Sequence, residues 1–122
     1  MIGRYHAEAT RSAADADLVA VADLDVAKAK QIGEDLGVAK VYRSGAALIR
    51  DPEVDAVVLA LPTGIRARLA NIALRAGKHL LLEKPPAMSA SQIRNYARLK
   101  GDAVVGCCSS RFTFTEGARA AR

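Results

Sequence analysis

The 122-residue sequence has no tryptophan, and aromatic residues make up only 4% of it. A core built from this sequence must therefore be aliphatic, and the hydrophobic fraction of 51% is sufficient for one domain. No apolar run approaches the roughly 20 residues that cross a bilayer, and nothing resembles a signal peptide. We therefore expect a cytoplasmic protein without membrane partners.

Cysteine is also scarce, with only two residues, and these are the neighbours Cys107 and Cys108. Neighbours on a strand point to opposite faces, so we expect neither a disulfide between them nor a metal ion that they share. No metal site is predicted. Both cysteines are interpreted as small strand residues that pack well in an interior.

The net charge is +5, but its pattern does not favour nucleic-acid binding. Lysine and arginine are spread over the helix-like segments, without the clusters or interleaved aromatic residues of a nucleic-acid surface. A phosphate-bearing cofactor would suit the same charge. We therefore expect no nucleic-acid partner.

Strand-like and helix-like segments alternate along the chain with short connections. Such alternation predicts an α/β fold with βαβ units, a parallel sheet and right-handed crossovers. The predicted strands cover residues 18–23, 40–42, 56–61, 79–82 and 103–108, and the predicted helices cover residues 2–14, 26–36, 44–48, 65–76 and 89–99.

The stretch from His79 to Pro85 is the one around which these segments are organised. Its three consecutive leucines predict a strand that is buried on both faces. The apolar run ends at Glu83 and Lys84, and Pro85 cannot continue the ladder. Ligands bind at the carboxyl ends of strands in open α/β sheets, so this pair lies where chemistry is expected. The alternative is an ordinary solvated turn.

Asp23 ends an earlier strand, 20 residues after Gly3 at the start of the first helix. This is the spacing between a dinucleotide-binding glycine turn and the acid that accepts the ribose hydroxyls. A carboxylate there repels a 2′-phosphate, and no nearby arginine is arranged to receive one. NAD is therefore favoured over NADP. The alternative is that Asp23 is a helix cap or turn residue.

Several motifs occur along the sequence in a specific order and spacing, although no single one is decisive. They are Ile2-Gly3-Arg4-Tyr5-His6-Ala7, Val19-Ala20-Val21-Ala22-Asp23, Asp55-Ala56-Val57-Val58, Pro62-Thr63-Gly64, Ala76-Gly77-Lys78-His79-Leu80-Leu81-Leu82-Glu83-Lys84-Pro85, and Val105-Gly106 with Arg111-Phe112. With these motifs the sequence resembles the glucose–fructose oxidoreductase / myo-inositol dehydrogenase (Gfo/Idh/MocA) family over nearly its whole length. The resemblance implies a doubly wound, Rossmann-type parallel sheet.

The resemblance implies a set of cofactor contacts. Gly3 looks like the third glycine of the fingerprint, preceded by the variable residue Ile2, at a helix N-terminus that faces the pyrophosphate. Pro62 and Thr63 would lie against the cofactor, and Glu83 would lie near the nicotinamide ribose.

The resemblance also implies that Lys84 is the active-site lysine, close to the substrate hydroxyl and the nicotinamide ring. A cation there can hydrogen-bond the oxygen whose charge changes during hydride transfer. The implied activity is that of an NAD(P)-dependent dehydrogenase acting on a sugar or polyol. The alternatives are a nucleotide-binding module without catalysis and a nonfunctional fragment.

The sequence departs from the family pattern in one contact and at both ends. Arg66 occupies a position where the family often has histidine. The first strand and the two earlier glycines are absent, and residues 109–122 read as the start of a linker to a substrate domain that does not follow. We therefore expect residues 1–108 to be a partial dinucleotide-binding domain, with little or no activity alone. The alternative is a native chain that fills the gap by pairing with another protomer, as a homo-oligomer.

Overall fold

Five helices and five strands alternate along residues 2–108, which are the residues that the computed structural model describes. The elements are, in chain order, α1 (Ile2–Ser12), β1 (Ala20–Ala22), α2 (Val26–Leu36), β2 (Lys40–Tyr42), α3 (Gly45–Ile49), β3 (Ala56–Leu59), α4 (Thr63–Arg75), β4 (His79–Leu82), α5 (Ala90–Leu99) and β5 (Val105–Cys107). The predicted alternation is confirmed, with shorter strands at 18–23, 56–61 and 103–108. The interpretation of residues 109–122 as a linker, and the Arg111–Phe112 motif, lie outside the described residues.

The strands form two parallel sheets within the described range. β1 pairs with β2, while β3, β4 and β5 form a second sheet in that order. β1 and β3 are not hydrogen-bonded to each other, as expected for a strand order in which another strand lies between them. The predicted fold class, a Rossmann-type α/β fold with parallel strands, is confirmed.

Local sequence signals explain where α2 begins and ends. The side chain of Asp25 accepts a hydrogen bond from the backbone N–H of Lys28 at 3.3 Å, which caps the first turn. Gly37 ends the helix in the left-handed conformation, with φ of 69°, where a side chain would be strained. Between these caps Gly33 packs closely against β2, because a Cβ there would lie 2.9 Å from Cγ2 of Val41.

Ser44 occupies the N-cap position of α3. Its side chain makes no capping hydrogen bond to α3, although Ser44 does precede the helix. The turn is closed by its backbone instead, because its carbonyl oxygen accepts from the N–H groups of Ala47 and Leu48. By contrast, the Ser89 hydroxyl accepts from the N–H of Gln92 at 3.3 Å, which confirms that cap of α5.

The core lies on one face of the β3–β4–β5 sheet. Val57, Leu59, Leu80 and Leu82 are buried there beneath α4 and α5. The prediction that the leucine strand is buried on both faces is wrong, since Leu81 is 36% exposed and the neighbouring Val58 is 37% exposed. The reason is tertiary: within residues 2–108 the helices cover one face of β3 and β4 but leave the other accessible. No helix of the described part is long and apolar enough to cross a membrane.

Candidate functional site

The carboxyl ends of β3 and β4 lie side by side and define a cleft. The two strands are parallel and pair Leu59 with Leu82, so the residues that follow each strand emerge at the same edge of the sheet. A cleft of about 610 Å³ opens there, within the volume range of cofactor sites. It is lined by Ile2, Ala60, Leu61, Pro62, Thr63, Arg66, Glu83, Lys84 and Cys108.

Most of the predicted site residues meet in this cleft. Gly3 is not among its lining residues but belongs to the adjoining wall, because a Cβ at Gly3 would lie 3.7 Å from the Cβ of Ala60. The predicted site residues that line the cleft are Ile2, Pro62, Thr63, Glu83 and Lys84.

Asp23 lies apart from the cleft, at the carboxyl end of β1. Its side chain is exposed, and its Oδ1 accepts a hydrogen bond from the N–H of Asp25 at 2.9 Å. This bond is the turn arrangement that the sequence left open as the alternative. The other carboxylate oxygen takes no part in this bond and can accept from a ribose hydroxyl.

Glu83 is held from two sides by hydrogen bonds. Its Oε1 lies 2.7 Å from Nε2 of His6, and its Oε2 accepts from the backbone N–H of Lys84 at 3.1 Å. The hydrogen bond with His6 lowers the pKa of Glu83, outweighing the burial that would raise it. The carboxylate is therefore ionised and fixed in orientation at neutral pH, although Glu83 is only 8% exposed.

Lys84 presents the accessible cation of the cleft. Its side chain is exposed, and among residues 2–108 its ammonium group makes no ion pair with a carboxylate. The backbone N–H of Lys84 binds Glu83, which fixes the main chain below the side chain. The ammonium group is therefore available to a ligand, beside a carboxylate that already has its partners.

Arg66 is the largest feature that sequence reasoning missed. This side chain is only 3% exposed, and its guanidinium donates to the carbonyl oxygens of Leu61, Glu83 and Pro85. It therefore joins the end of β3 to the backbone on both sides of Lys84. One feature of the sequence did indicate this role. Arg66 lies one helical turn after Pro62, and α4 starts there, at the sheet edge where the cleft opens.

His6 and Cys108 also reach the cleft region, although the sequence analysis treated neither as a site residue. Nε2 of His6 lies 3.9 Å from Sγ of Cys108, and burial raises the pKa of the Cys108 thiol. His6 follows Gly3 by three residues and therefore lies on the same side of α1, which was the available signal. Cys107 lines a separate cavity beside Tyr96, so the prediction that the two cysteines diverge is confirmed.

The site offers hydrogen-bond donors suited to a phosphate group. Pro62 precedes α4 without a side-chain cap, and the first turn contains no acidic residue. The N–H groups of Ile65 and Arg66 donate to the carbonyl oxygen of Pro62, which leaves those of Thr63 and Gly64 to an anion, with Thr63 lining the cleft. Asp23 likewise follows the carboxyl end of its own strand, β1. The donors at the cleft fit a phosphate group of a dinucleotide.

Comparison with known proteins assigns the chain to a family. The family model described as an oxidoreductase family with an NAD-binding Rossmann fold, Gfo/Idh/MocA, matches residues 1–106. The chain belongs to this family and is its NAD-binding oxidoreductase domain.

Individual relatives support this assignment, and this chain matches only a part of each of them. The chain is 35% identical over 92 residues to myo-inositol 2-dehydrogenase of Thermotoga maritima, covering 75% of this chain and 28% of the relative. It is 36% identical over 80 residues to D-xylose 1-dehydrogenase (NADP(+)) 2 of Haloferax volcanii, covering 66% of this chain and 25% of the relative. The chain thus spans between a quarter and a third of the length of these relatives.

A solved structure gives the same result for the fold. The crystal structure of myo-inositol dehydrogenase from Lactobacillus casei, in complex with NAD(H) and myo-inositol, matches with a TM-score of 0.85 and 27% identity. The match covers 98% of this chain and 37% of that chain.

Proposed function

We propose that this chain is the cofactor-binding part of a dehydrogenase that transfers a hydride between a nicotinamide dinucleotide and a hydroxyl group of a sugar or polyol. The observation that carries the proposal is the joint placement of Pro62–Thr63 and Glu83–Lys84 around one cleft at adjacent strand ends. The activities for which the two relatives are named, on myo-inositol and on D-xylose, support the substrate class.

In this proposal Thr63 and Pro62 lie against the dinucleotide, and Ile2 and Gly3 approach its pyrophosphate from α1. Glu83 hydrogen-bonds the nicotinamide ribose through a carboxylate that His6 holds ionised. When bound, the nicotinamide ring supplies the hydride donor or acceptor. The chain's own residues bind and orient the cofactor and polarise the substrate oxygen.

Lys84 has the catalytic role in this proposal. Its ammonium group hydrogen-bonds the substrate oxygen whose charge changes during the reaction, and it thereby stabilises that charge in the transition state. Arg66 holds the carbonyl groups of Glu83 and Pro85, on either side of Lys84. A fixed main chain limits the space that the Lys84 side chain can explore, which favours a reactive geometry.

We further propose that NAD is the preferred cofactor, because Asp23 would accept the two ribose hydroxyls and repel a 2′-phosphate. One relative is named for NADP(+) and one solved structure contains NAD(H), so family membership alone does not decide the cofactor. Residues 1–108 would form the dinucleotide-binding domain, and the segment 109–122 would lead toward the substrate-binding part.

The test compares binding with turnover in Lys84→Ala. In the whole protein, this substitution should abolish NAD-dependent oxidation of a polyol panel while changing the NAD Kd by no more than a few-fold. Lys78→Ala is the matched control, because Lys78 lies before β4, at the opposite end of that strand. Full turnover by Lys84→Ala would contradict the catalytic role. Binding without turnover in the unaltered whole protein would favour a non-catalytic nucleotide-binding module.

A further inference from the structure

Three side chains with metal-ligating atoms converge beside the cleft from three separate elements. His6 comes from α1, Glu83 follows β4, and Cys108 follows β5. Their ligating atoms all lie within 4.8 Å of one another. Two of these side chains are largely withdrawn from solvent, with exposed fractions of 20% for His6 and 11% for Glu83. In the proposed dehydrogenase function, Glu83 is the one member of the three that contacts the dinucleotide.

We propose that His6, Glu83 and Cys108 form a binding site for a zinc-class divalent cation. An imidazole nitrogen, a thiolate sulfur and a carboxylate oxygen are the three kinds of ligand that Zn²⁺ takes in proteins. Three protein ligands leave the fourth tetrahedral position open, as in zinc sites that also hold water. Glu83 and Cys108 line the cleft, so the open position faces it.

The distances require only side-chain adjustments. Tetrahedral Zn²⁺, with bonds of about 2.0–2.1 Å to nitrogen and oxygen and about 2.3 Å to sulfur, separates its ligand atoms by roughly 3.3–3.6 Å. The 2.7 Å contact between His6 and Glu83 must therefore open by about 0.6–0.7 Å, and the 3.9 Å separation of His6 and Cys108 must shorten by a few tenths. The ligand atoms of Cys108 and Glu83, which lie within 4.8 Å of each other, must reach about 3.6 Å.

The charges balance when the ion enters. The Cys108 thiol releases its proton to solvent as the sulfur–metal bond forms. The proton that Nε2 of His6 donates to Glu83 leaves that nitrogen, so that Nε2 binds the ion and the neutral imidazole carries its one proton on Nδ1. The hydrogen bond between His6 and Glu83 is exchanged for two metal bonds. One thiolate and one carboxylate then neutralise the two positive charges of the cation. No oxidant or reductant takes part.

The site is independent of the proposed dehydrogenase function, except that both would use Glu83. Cation and dinucleotide should therefore compete, and each can be measured without the other. Cation binding is measured without nucleotide, and nucleotide binding is measured after treatment with a chelator. Failure of one measurement leaves the other intact, so the two proposals can fail separately.

The chain offers matched controls, because it contains only two histidines and two cysteines. Cys107 lines the cavity on the other side of β5, and His79 binds the N–H of Val104 at the opposite end of β4. Cys107→Ser and His79→Ala therefore remove the same chemical groups without touching the cluster. Cys108→Ser and His6→Ala remove the proposed ligands.

Co²⁺ is the probe, because its bond to a thiolate gives a near-ultraviolet charge-transfer band and tetrahedral coordination gives intense visible bands. We expect both bands to saturate at one Co²⁺ per chain and to disappear on addition of Zn²⁺. Cys108→Ser should abolish the charge-transfer band, and His6→Ala should weaken Co²⁺ binding at least tenfold, while both controls retain binding within about twofold. Absence of the bands in the unaltered chain, or their persistence in Cys108→Ser, would overturn the proposal.

A second measurement needs no substitution of the cluster and so does not depend on whether the variants fold. Zn²⁺ should slow the reaction of one cysteine with an aromatic disulfide reagent, and peptide mapping should identify that residue as Cys108. Equal protection of Cys107 and Cys108, or protection of neither, would contradict the site.

Discussion

The imidazole of His6 lies 2.7 Å from the carboxylate of Glu83, although 77 residues separate the two in the chain. This contact ties the first helix to the end of the leucine strand. It therefore connects the two parts of the chain between which the cofactor is proposed to lie. The bond also fixes the carboxylate beside Lys84, whose backbone N–H binds the other oxygen.

Removal of this contact should destabilise the fold in a pH-dependent way. The folded-state pKa of Glu83 lies below its ordinary value of 4.5, so ionised Glu83 stabilises the fold above that pH. The contribution is lost as the pH falls through the lowered pKa. His6→Ala should therefore cost roughly 1–2 kcal/mol at pH 7 and progressively less in acid, as the pH falls below 4.5 and through the lowered pKa, in urea unfolding experiments.

The control for this prediction is the same substitution in a Glu83→Gln background. There, His6→Ala should have nearly the same small effect at neutral and at acid pH, because no carboxylate remains to titrate. A cost of His6→Ala that grows in acid would contradict the proposed coupling.

The buried guanidinium of Arg66 should be essential for stability. Arg66→Met fills a similar volume but leaves the carbonyl oxygens of Leu61, Glu83 and Pro85 without this donor. We expect a loss of roughly 2–4 kcal/mol in the free energy of unfolding. Arg68→Met, at an exposed position of the same helix, should change it by no more than about 0.5 kcal/mol. Equal effects of the two substitutions would show that the carbonyl contacts contribute nothing.

Packing between α2 and β2 should tolerate no side chain at Gly33. A Cβ there would lie 2.9 Å from both the Val38 oxygen and Cγ2 of Val41, so Gly33→Ala should cost about 1–3 kcal/mol. Gly64→Ala is the counterpart, because a Cβ at this position of α4 meets no atom within 4 Å. Helix propensity should make that variant neutral or more stable, by up to about 1 kcal/mol. Thermal unfolding of both variants tests this prediction. A Gly33→Ala variant that is more stable than the unaltered chain would contradict the close packing at Gly33.

Asp23 should decide between the two nicotinamide dinucleotides. Asp23→Ser removes the carboxylate that would bind the ribose hydroxyls and repel a 2′-phosphate, so NAD should bind about tenfold more weakly and NADP no more weakly than before. Calorimetric titration with each nucleotide gives both constants. Asp25→Ser is the control from the same turn, since serine also caps a helix. Unchanged NAD affinity in Asp23→Ser would leave Asp23 as a turn residue only.

The sequence predicted those features whose signals are local. α2 was delimited correctly because Asp25 and Gly37 cap it within their own turns. Charged residues after the leucine strand predicted the cleft, because parallel strands end at one edge. The exposure of Leu81 was not predictable in the same way, since a strand's own residues do not reveal which of its faces a helix covers.

The residues that were missed depend on partners far along the chain. Arg66 binds backbone atoms 17 and 19 residues away, and backbone carbonyls leave no mark in a sequence. His6 and Cys108 are 102 residues apart and meet only because the tertiary fold places α1 beside the residue that follows β5. An isolated arginine or histidine on a helix carries no sign of such a contact until the tertiary arrangement is known.

The most direct test of the account is to map nicotinamide dinucleotide binding onto the backbone amides of the 122-residue chain. Titration of the ¹⁵N-labelled, chelator-treated chain with NAD should shift the amide resonances of Gly3, Thr63, Glu83 and Lys84 saturably. The amides of Ile93 and Tyr96, beside the cavity on the opposite side of β5, should stay in place. Shifts centred on Ile93 and Tyr96, or no saturable shift at millimolar NAD, would contradict the claim that the strand-end cleft is the cofactor site.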